Sequence, residues 1–216
     1  MLLAPTVTAL QIMLVACELE LKSIGMQINV QKSACMRFGN RYDSPCSSII
    51  SLSGNNLKWV TSFKYLGIVI VSGKRFRCLF DACKKNFFGS FNAIFGRVGR
   101  FASEEVILHL IRTKCLPVLL YAIEACPLLS RDIHSFEFVI NRCLMKLFKT
   151  SSIVVVNECC DFFGFTPIRL TIETRTVKFL ERYISSENIV CSCFARFATA
   201  QLNGLRRASA ADMPVL

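Results

Sequence analysis

The residues in this sequence best suited to chemistry are cations. Between Gly73 and Cys115 the chain carries nine Lys/Arg, among them Lys74, Arg75, Arg77, Lys84, Lys85, Arg97 and Arg100, against three acids, Asp81, Glu104 and Glu105. A second set, Arg142, Lys146 and Lys149, recurs at i, i+4 and i+7 and so shares one helix face. Stripes of this kind neutralise a phosphodiester backbone without reading base sequence. A solvated helix surface is charged by default as well, so each stripe alone fits either role. The whole chain leans the same way. Its formal net charge is +11 over 216 residues, which favours polyanionic partners, nucleic acid ahead of an anionic membrane surface.

Other chemistries are poorly served. The twelve cysteines include no C-x-x-C pair, and Cys159-Cys160 and Cys191-Ser192-Cys193 stand too close for a usual zinc pair. His109 and His134 lack ligand-like spacing, and no metal site is expected. Cys17, Cys83 and Cys143 fall on apolar stripes of predicted helices, where cysteine behaves as a small hydrophobe. The uncharged start, Met1 to Cys17, has no basic n-region, is interrupted by Pro5 and ends at Glu18 and Glu20. It is too short to span a bilayer and reads as a core helix, not a targeting segment. The expected setting is reduced and intracellular, cytoplasm or nucleus, not secreted.

The elements that must position the cations follow from periodicity. Leu10, Leu14, Cys17, Leu21 and Ile24 step by four and three, one face of a helix that Thr6 or Thr8 can cap and Gly25 can stop. Short strands are expected at Met26–Val30 and Ala34–Phe38, separated by polar Gln31-Lys32-Ser33. A hairpin pairs Ser48–Leu52 with Leu57–Thr61, turning at Gly54-Asn55. Phe63–Val71 then reads as one buried strand. From Gly73 the period becomes helical. Phe80, Cys83, Phe87, Phe91, Ile94 and Val98 make one apolar stripe, with Arg77, Asp81, Lys84, Lys85 and Arg97 outside and Gly99-Arg100 closing. Ser103 opens a helix that Pro117 kinks or divides and Cys126-Pro127 ends. Ser130 opens a third, buried through Ile133, Phe136, Ile140, Cys143 and Leu147. Helices at Ile153–Phe163 and Ile168–Tyr183 and a frayed end beyond Ala195 complete an α+β chain.

Three sequence blocks stand in order: Gly25-Met26-Gln27-Ile28-Asn29-Val30-Gln31-Lys32-Ser33, the box Tyr65-Leu66-Gly67, and Ala102-Ser103-Glu104-Glu105-Val106 running through Leu116-Pro117-Val118-Leu119-Leu120-Tyr121 to Glu124-Ala125-Cys126-Pro127. Across about Met1 to Pro167 this set resembles the end of the palm and the thumb of a reverse transcriptase from non-LTR (LINE-type) retrotransposons. The resemblance implies a residual palm over 1–72, with a helix, short antiparallel strands and a hairpin. It implies an all-helical thumb over 73–150 and a helical tail over 151–216. It casts Lys32 as the lysine beside the incoming triphosphate, a cation or proton donor for departing pyrophosphate, with Asn29 holding its loop. Tyr65, Leu66 and Gly67 become the primer-grip, where Gly67 lets backbone approach the primer closely. RNA or RNA–DNA duplex is the implied partner, with the missing N-terminal polymerase part as a second and no membrane. On residue type alone, Lys32 is a solvated turn lysine and the box a core strand.

One departure limits the resemblance. Polymerases of this kind hold two metal ions on aspartates, including an adjacent pair. Here Asp43, Asp81, Asp132, Asp161 and Asp212 include no adjacent pair. In the family, a stretch like Met1-Leu2-Leu3-Ala4-Pro5 follows the Asp-Asp turn, so Met1 reads as an internal methionine. The expectation is a polymerase fragment inactive alone, with no cofactor in this chain and Mg2+ expected only for the complete polymerase. A palm stripped of its central strands should also be poorly stable over Met1–Ser72. The competing readings are a non-enzymatic, sequence-independent nucleic-acid-binding remnant and a basic amphipathic membrane-surface protein. The second is weakened by the single tryptophan, Trp59, lying in the predicted hairpin.

Overall fold

The computed structural model describes residues 1–211, with side-chain placement through Arg207. The chain is mixed α+β, as its periodicity implies, and divides into two compact units, Met1–Leu79 and Phe80 onward.

The first unit opens with α1 (Val7–Ser23). The Thr6 side chain accepts from the Ala9 N–H at 3.1 Å, satisfying one orphan donor of the first turn. At the other end Gly25 adopts φ 72° while Met26 N–H reaches the Leu21 carbonyl at 2.9 Å, a left-handed stop that only glycine makes without strain. Leu14 is buried against Cys35, Ile49 and Leu57, with Leu10, Ile28 and Trp59 around them. Ile24 departs from the predicted stripe: it is the C-cap and lies exposed.

Strands β1 (Ala34–Cys35), β2 (Ile49–Ile50) and β3 (Asn56–Trp59) form a sheet in the order β1-β3-β2. The β2–β3 hairpin turns at Gly54 (φ 78°), where glycine was expected to turn it. The β1–β3 pair is parallel, not antiparallel as expected, and so joins segments distant in sequence. Gln11 of α1 closes the outer edge of β2: its amide gives a hydrogen bond to the Ile50 carbonyl at 2.7 Å and takes one from the Ile50 N–H at 2.8 Å. Glu18, two turns on, accepts from the Leu52 N–H at 2.9 Å. These side chains stand in for a missing strand. Met26–Val30, expected as a strand, is loop. Asn29 takes the Lys32 N–H on both its carbonyl and its side-chain oxygen, at 3.1 Å each, so local turn bonds win over ladder pairing.

The second sheet is a meander of β4 (Ser62–Tyr65), β5 (Ile68–Val71) and β6 (Arg77–Leu79). The expected single strand Phe63–Val71 is thus a hairpin. Tyr65 pairs with Ile68, and between them Leu66 and Gly67 take φ 47° and 86°. Two central residues at positive φ are what a two-residue type I′ connection requires. β5 is only half-buried along its length, and Leu66 is 72% exposed. β6 pairs with β5 and carries the sheet past Gly73 to Leu79, so a fragment ending at Ser72 would strip β5 of a neighbour.

The second unit holds α2 (Asp81–Val98), α3 (Glu104–Leu110), α4 (Leu116–Leu119), α5 (Ser130–Leu147), α6 (Ile153–Phe162), α7 (Ile168–Ile184) and α8 (Ile189–Ala211). The break expected at Pro117 takes the form of a widened turn over Ile111–Cys115, where Leu116 N–H reaches back five residues to Ile111. Proline has no N–H for the Thr113 carbonyl, and the wider turn accommodates that loss. The expected stripes of α2 and α5 point inward: Phe87, Phe91, Phe136, Ile140, Cys143 and Leu147 are all buried. Residues after Thr150 belong to the same unit, tied to earlier helices by Arg175–Glu124 (3.1 Å) and Arg169–Glu137 (3.1 Å). α7 and α8 meet through Leu180, Ala198 and Leu202. Of the frayed end expected beyond Ala195, residues through Ala211 are helical, and 212–216 lie outside the described residues. Among the described residues one helical run, Glu104–Ala125, is long and apolar enough to cross a membrane, yet its Ile107, Leu108, Ile111, Cys115 and Leu119 are buried here.

Candidate nucleic-acid interface

In the first unit, Lys32 sits exposed on the turn that Asn29 organises, and Ser33 Oγ adds a bond to the Asn29 carbonyl at 2.8 Å. Tyr65, Leu66 and Gly67 form the tip of the β4–β5 hairpin. Lys74 and Arg75 lie exposed in the β5–β6 connection, at the opposite end of the four-residue β5, about 13 Å away. Arg77, expected on the outer side of a helix, lies in β6. The register puts Lys64 opposite Val69 and Arg77 opposite Val71, so both cations flank one valine face of the sheet. Lys64 was not among the expected binding residues, because its partner across the sheet is visible only once the register is known.

In the second unit, α2 and α5 lie side by side and run the same way. Near their N-terminal ends Lys84 Nζ bonds Ser135 Oγ at 3.0 Å, and the Phe80 and Phe136 rings meet edge-on at 5.3 Å. Near their C-terminal ends Lys146 Nζ bonds Asn92 Oδ1 at 3.2 Å and sits 4.9 Å from the Phe95 ring centre. The parallel pairing therefore puts the end of α2, with Arg97 and the following Arg100, at the same end of the unit as Lys146 and the following Lys149, although Arg97, about 200° round the helix from Phe95, points away from α5. Cations here also meet the negative ends of two helix dipoles. Arg97, Arg100, Arg142 and Lys149 are exposed, as is Lys85 further up α2, and among the described residues none of these joins an ion pair.

Lys84 behaves differently. Its ammonium is held by Asp81 at 3.1 Å and by Ser135, with 21% of the side chain exposed, so it fastens α2 to α5 and is not offered to a ligand. Arg112, within the same basic run, is also committed: Nη2 donates to the Phe163 and Gly164 carbonyls at 3.1 and 2.6 Å, capping the negative end of α6. Beside it opens a cleft of about 330 Å³ lined by Glu105, Leu108, His109, Phe162 and Phe163. Lys149 ends α5 at φ 54° while Thr150 N–H reaches Met145 at 3.1 Å. That left-handed position suits glycine, and a lysine there carries about 1–2 kcal/mol of backbone strain.

Burial pushes the thiols of Cys35, Cys83, Cys115 and Cys160 up, and that of Cys143 up to about 12, with nearby Cys115 adding to the shift, so all stay neutral and unreactive. Among the described residues the aspartates do not gather as a two-metal site requires. Asp81 pairs with Lys84, Asp132 accepts the Leu129 N–H at 2.9 Å at the start of α5, and Asp43 and Asp161 stand on separate segments. Among the described residues no three His, Cys, Asp or Glu side chains converge.

Compared with protein-family models, with curated proteins and with solved structures, the chain matches none.

Proposed function

We propose that this chain is a palm-and-thumb fragment of a non-LTR retrotransposon reverse transcriptase, inactive in polymerisation alone, that holds RNA or RNA–DNA duplex by its backbone. One observation carries the binding part: the parallel packing of α2 and α5 brings two separate basic stripes to one end of the second unit. Cations from Arg97, Arg100, Arg142 and Lys149 there face no competing carboxylate partner among the described residues. Such a cluster neutralises phosphates with no selectivity for sequence. The polymerase ancestry rests on the ordered resemblance, supported by a tight Leu66-Gly67 hairpin tip that leaves backbone open to a primer end.

Two experiments separate these parts. Fluorescence anisotropy with a blunt RNA–DNA duplex should give R142Q/K149Q markedly weaker binding than the parent chain. Equal affinity would refute the α2–α5 site. For the ancestry, coding sequence directly upstream of the Met1 codon, in frame, should encode an aromatic-Ala-Asp-Asp turn, and restoring it should give Mg2+-dependent primer extension. A stop codon there ends the polymerase reading and leaves the non-enzymatic binding remnant. The membrane-surface alternative draws on one feature, the exposed Ile189, Val190, Phe194 and Phe197 of α8 beside Arg196. Pelleting with anionic vesicles but not binding duplex would favour it.

A further inference from the structure

We infer that the turn after α2 seats an unpaired nucleobase, with Phe101 as the stacking platform and the cations that precede it, Arg97 and Arg100, holding the strand beside that base. The inference rests on the nucleic-acid reading above and goes beyond it by naming the kind of strand: one that leaves a duplex and continues single-stranded.

Phe101 is the most exposed large apolar side chain among the described residues, at 89%. Its ring therefore contributes almost nothing to the core, where a buried phenylalanine would stabilise by about 1.5–3 kcal/mol. Yet the backbone beneath it is well held. Phe101 N–H and Ala102 N–H both bond the Val98 carbonyl, at 3.0 and 2.8 Å, and the Ser103 side chain caps the first turn of α3. Gly99 is packed so closely that a Cβ there would collide with the Phe95 carbonyl and ring. The ring is thus presented on an ordered turn.

The surroundings choose the ligand. Arg97 and Arg100 both precede Phe101 in sequence and are exposed. Lys146 of α5 lies over Phe95, in the last turn of α2. The nearest acids in sequence, Glu104 and Glu105, occupy the first turn of α3 and complement its positive end. A protein partner would need a contiguous apolar patch, which one ring between Arg100 and Ala102 does not supply. A base offers a π-face to the ring and phosphates to the cations, the combination single-strand-binding surfaces use.

The test uses the full chain and two probes: a blunt RNA–DNA duplex, and the same duplex with a short unpaired extension. Stacking of one base should tighten binding to the extended probe by about 5- to 150-fold. F101A should abolish that preference and F101W should keep it, while both retain the blunt-duplex affinity and its salt dependence. A preference that survives F101A, or a parent chain that binds both probes equally, overturns the inference while leaving the duplex reading standing. Failure to bind the blunt duplex overturns both.

Discussion

Replacing Leu66 with Asn should stabilise the first unit, although it removes an apolar side chain. Leu66 holds φ 47° at the first position of the β4–β5 turn, in a region that costs an L-residue with a branched side chain about 1–2 kcal/mol. Its side chain returns little, being 72% exposed. If full burial of a leucine is worth about 1.5–3 kcal/mol, the buried remainder supplies less than about 1 kcal/mol. Asn tolerates the left-handed region and, followed by Gly67, completes the pairing that two-residue hairpins favour. The expected net gain is about 0.5–1 kcal/mol. The reporter is built in: Trp59 is the single tryptophan, lies in β3, and donates to the Ser47 carbonyl at 3.1 Å. Urea unfolding followed by Trp59 fluorescence should move to a higher midpoint by about 0.2–1 M, given slopes of about 1–3 kcal/mol/M for small units. Leu66→Gly should do the same to a smaller extent. A lower midpoint for both variants would refute the reasoning and show that the Leu66 side chain is packed. If the hairpin tip also touches a primer end, L66N should weaken duplex binding while it raises stability, the signature of strain kept for a function.

The other predictions test the positions the structure separates. Gln11→Ala removes both bonds to Ile50, leaving the β2 edge open; the Trp59 transition should fall by about 1–2 kcal/mol and aggregation should rise, and an unchanged midpoint would mean water replaces the amide fully. Lys84→Met should lower stability with little effect on duplex affinity, whereas Lys85→Met should leave the melt unchanged, because only Lys84 is tied to Asp81 and Ser135. The Cys143 thiol is neutral in both states below about pH 9; above it the unfolded chain ionises first, so the stability this group contributes is lost as pH rises from 9 towards about 12. Urea midpoints measured across that window should fall more steeply for the parent chain than for C143A, and parallel curves would contradict the burial argument. At pH 8 the exposed Cys193 should react with a thiol reagent well before Cys143 does.

What the sequence makes legible here is local. Thr6 and Gly25 mark the ends of α1 because capping chemistry depends on a few adjacent residues. The apolar stripes of α2 and α5 are periodic over five turns, long enough for their buried faces to be read directly. The β4–β5 turn was hidden because Leu occupies a position where Asn or Asp would have announced a hairpin, so one β-branched run looked continuous. The parallel β1–β3 pair and the register that aligns Lys64 with Arg77 depend on contacts between distant residues, and no periodicity reports those. The site has the same division. Two basic stripes can be counted in the sequence, but Lys84 and Lys85 are indistinguishable there until Ser135 shows which one turns inward. That the stripes share one end follows only from Phe80 meeting Phe136 and Lys146 meeting Asn92.

The measurement that bears most directly on the central claim is the affinity of the full chain for a blunt RNA–DNA duplex as a function of salt concentration. If Arg97, Arg100, Arg142 and Lys149 each displace a counterion, the logarithm of the association constant should fall against the logarithm of salt with a slope of about −3 to −4, whatever the duplex sequence. A flat salt response, or binding confined to one sequence, would contradict the account.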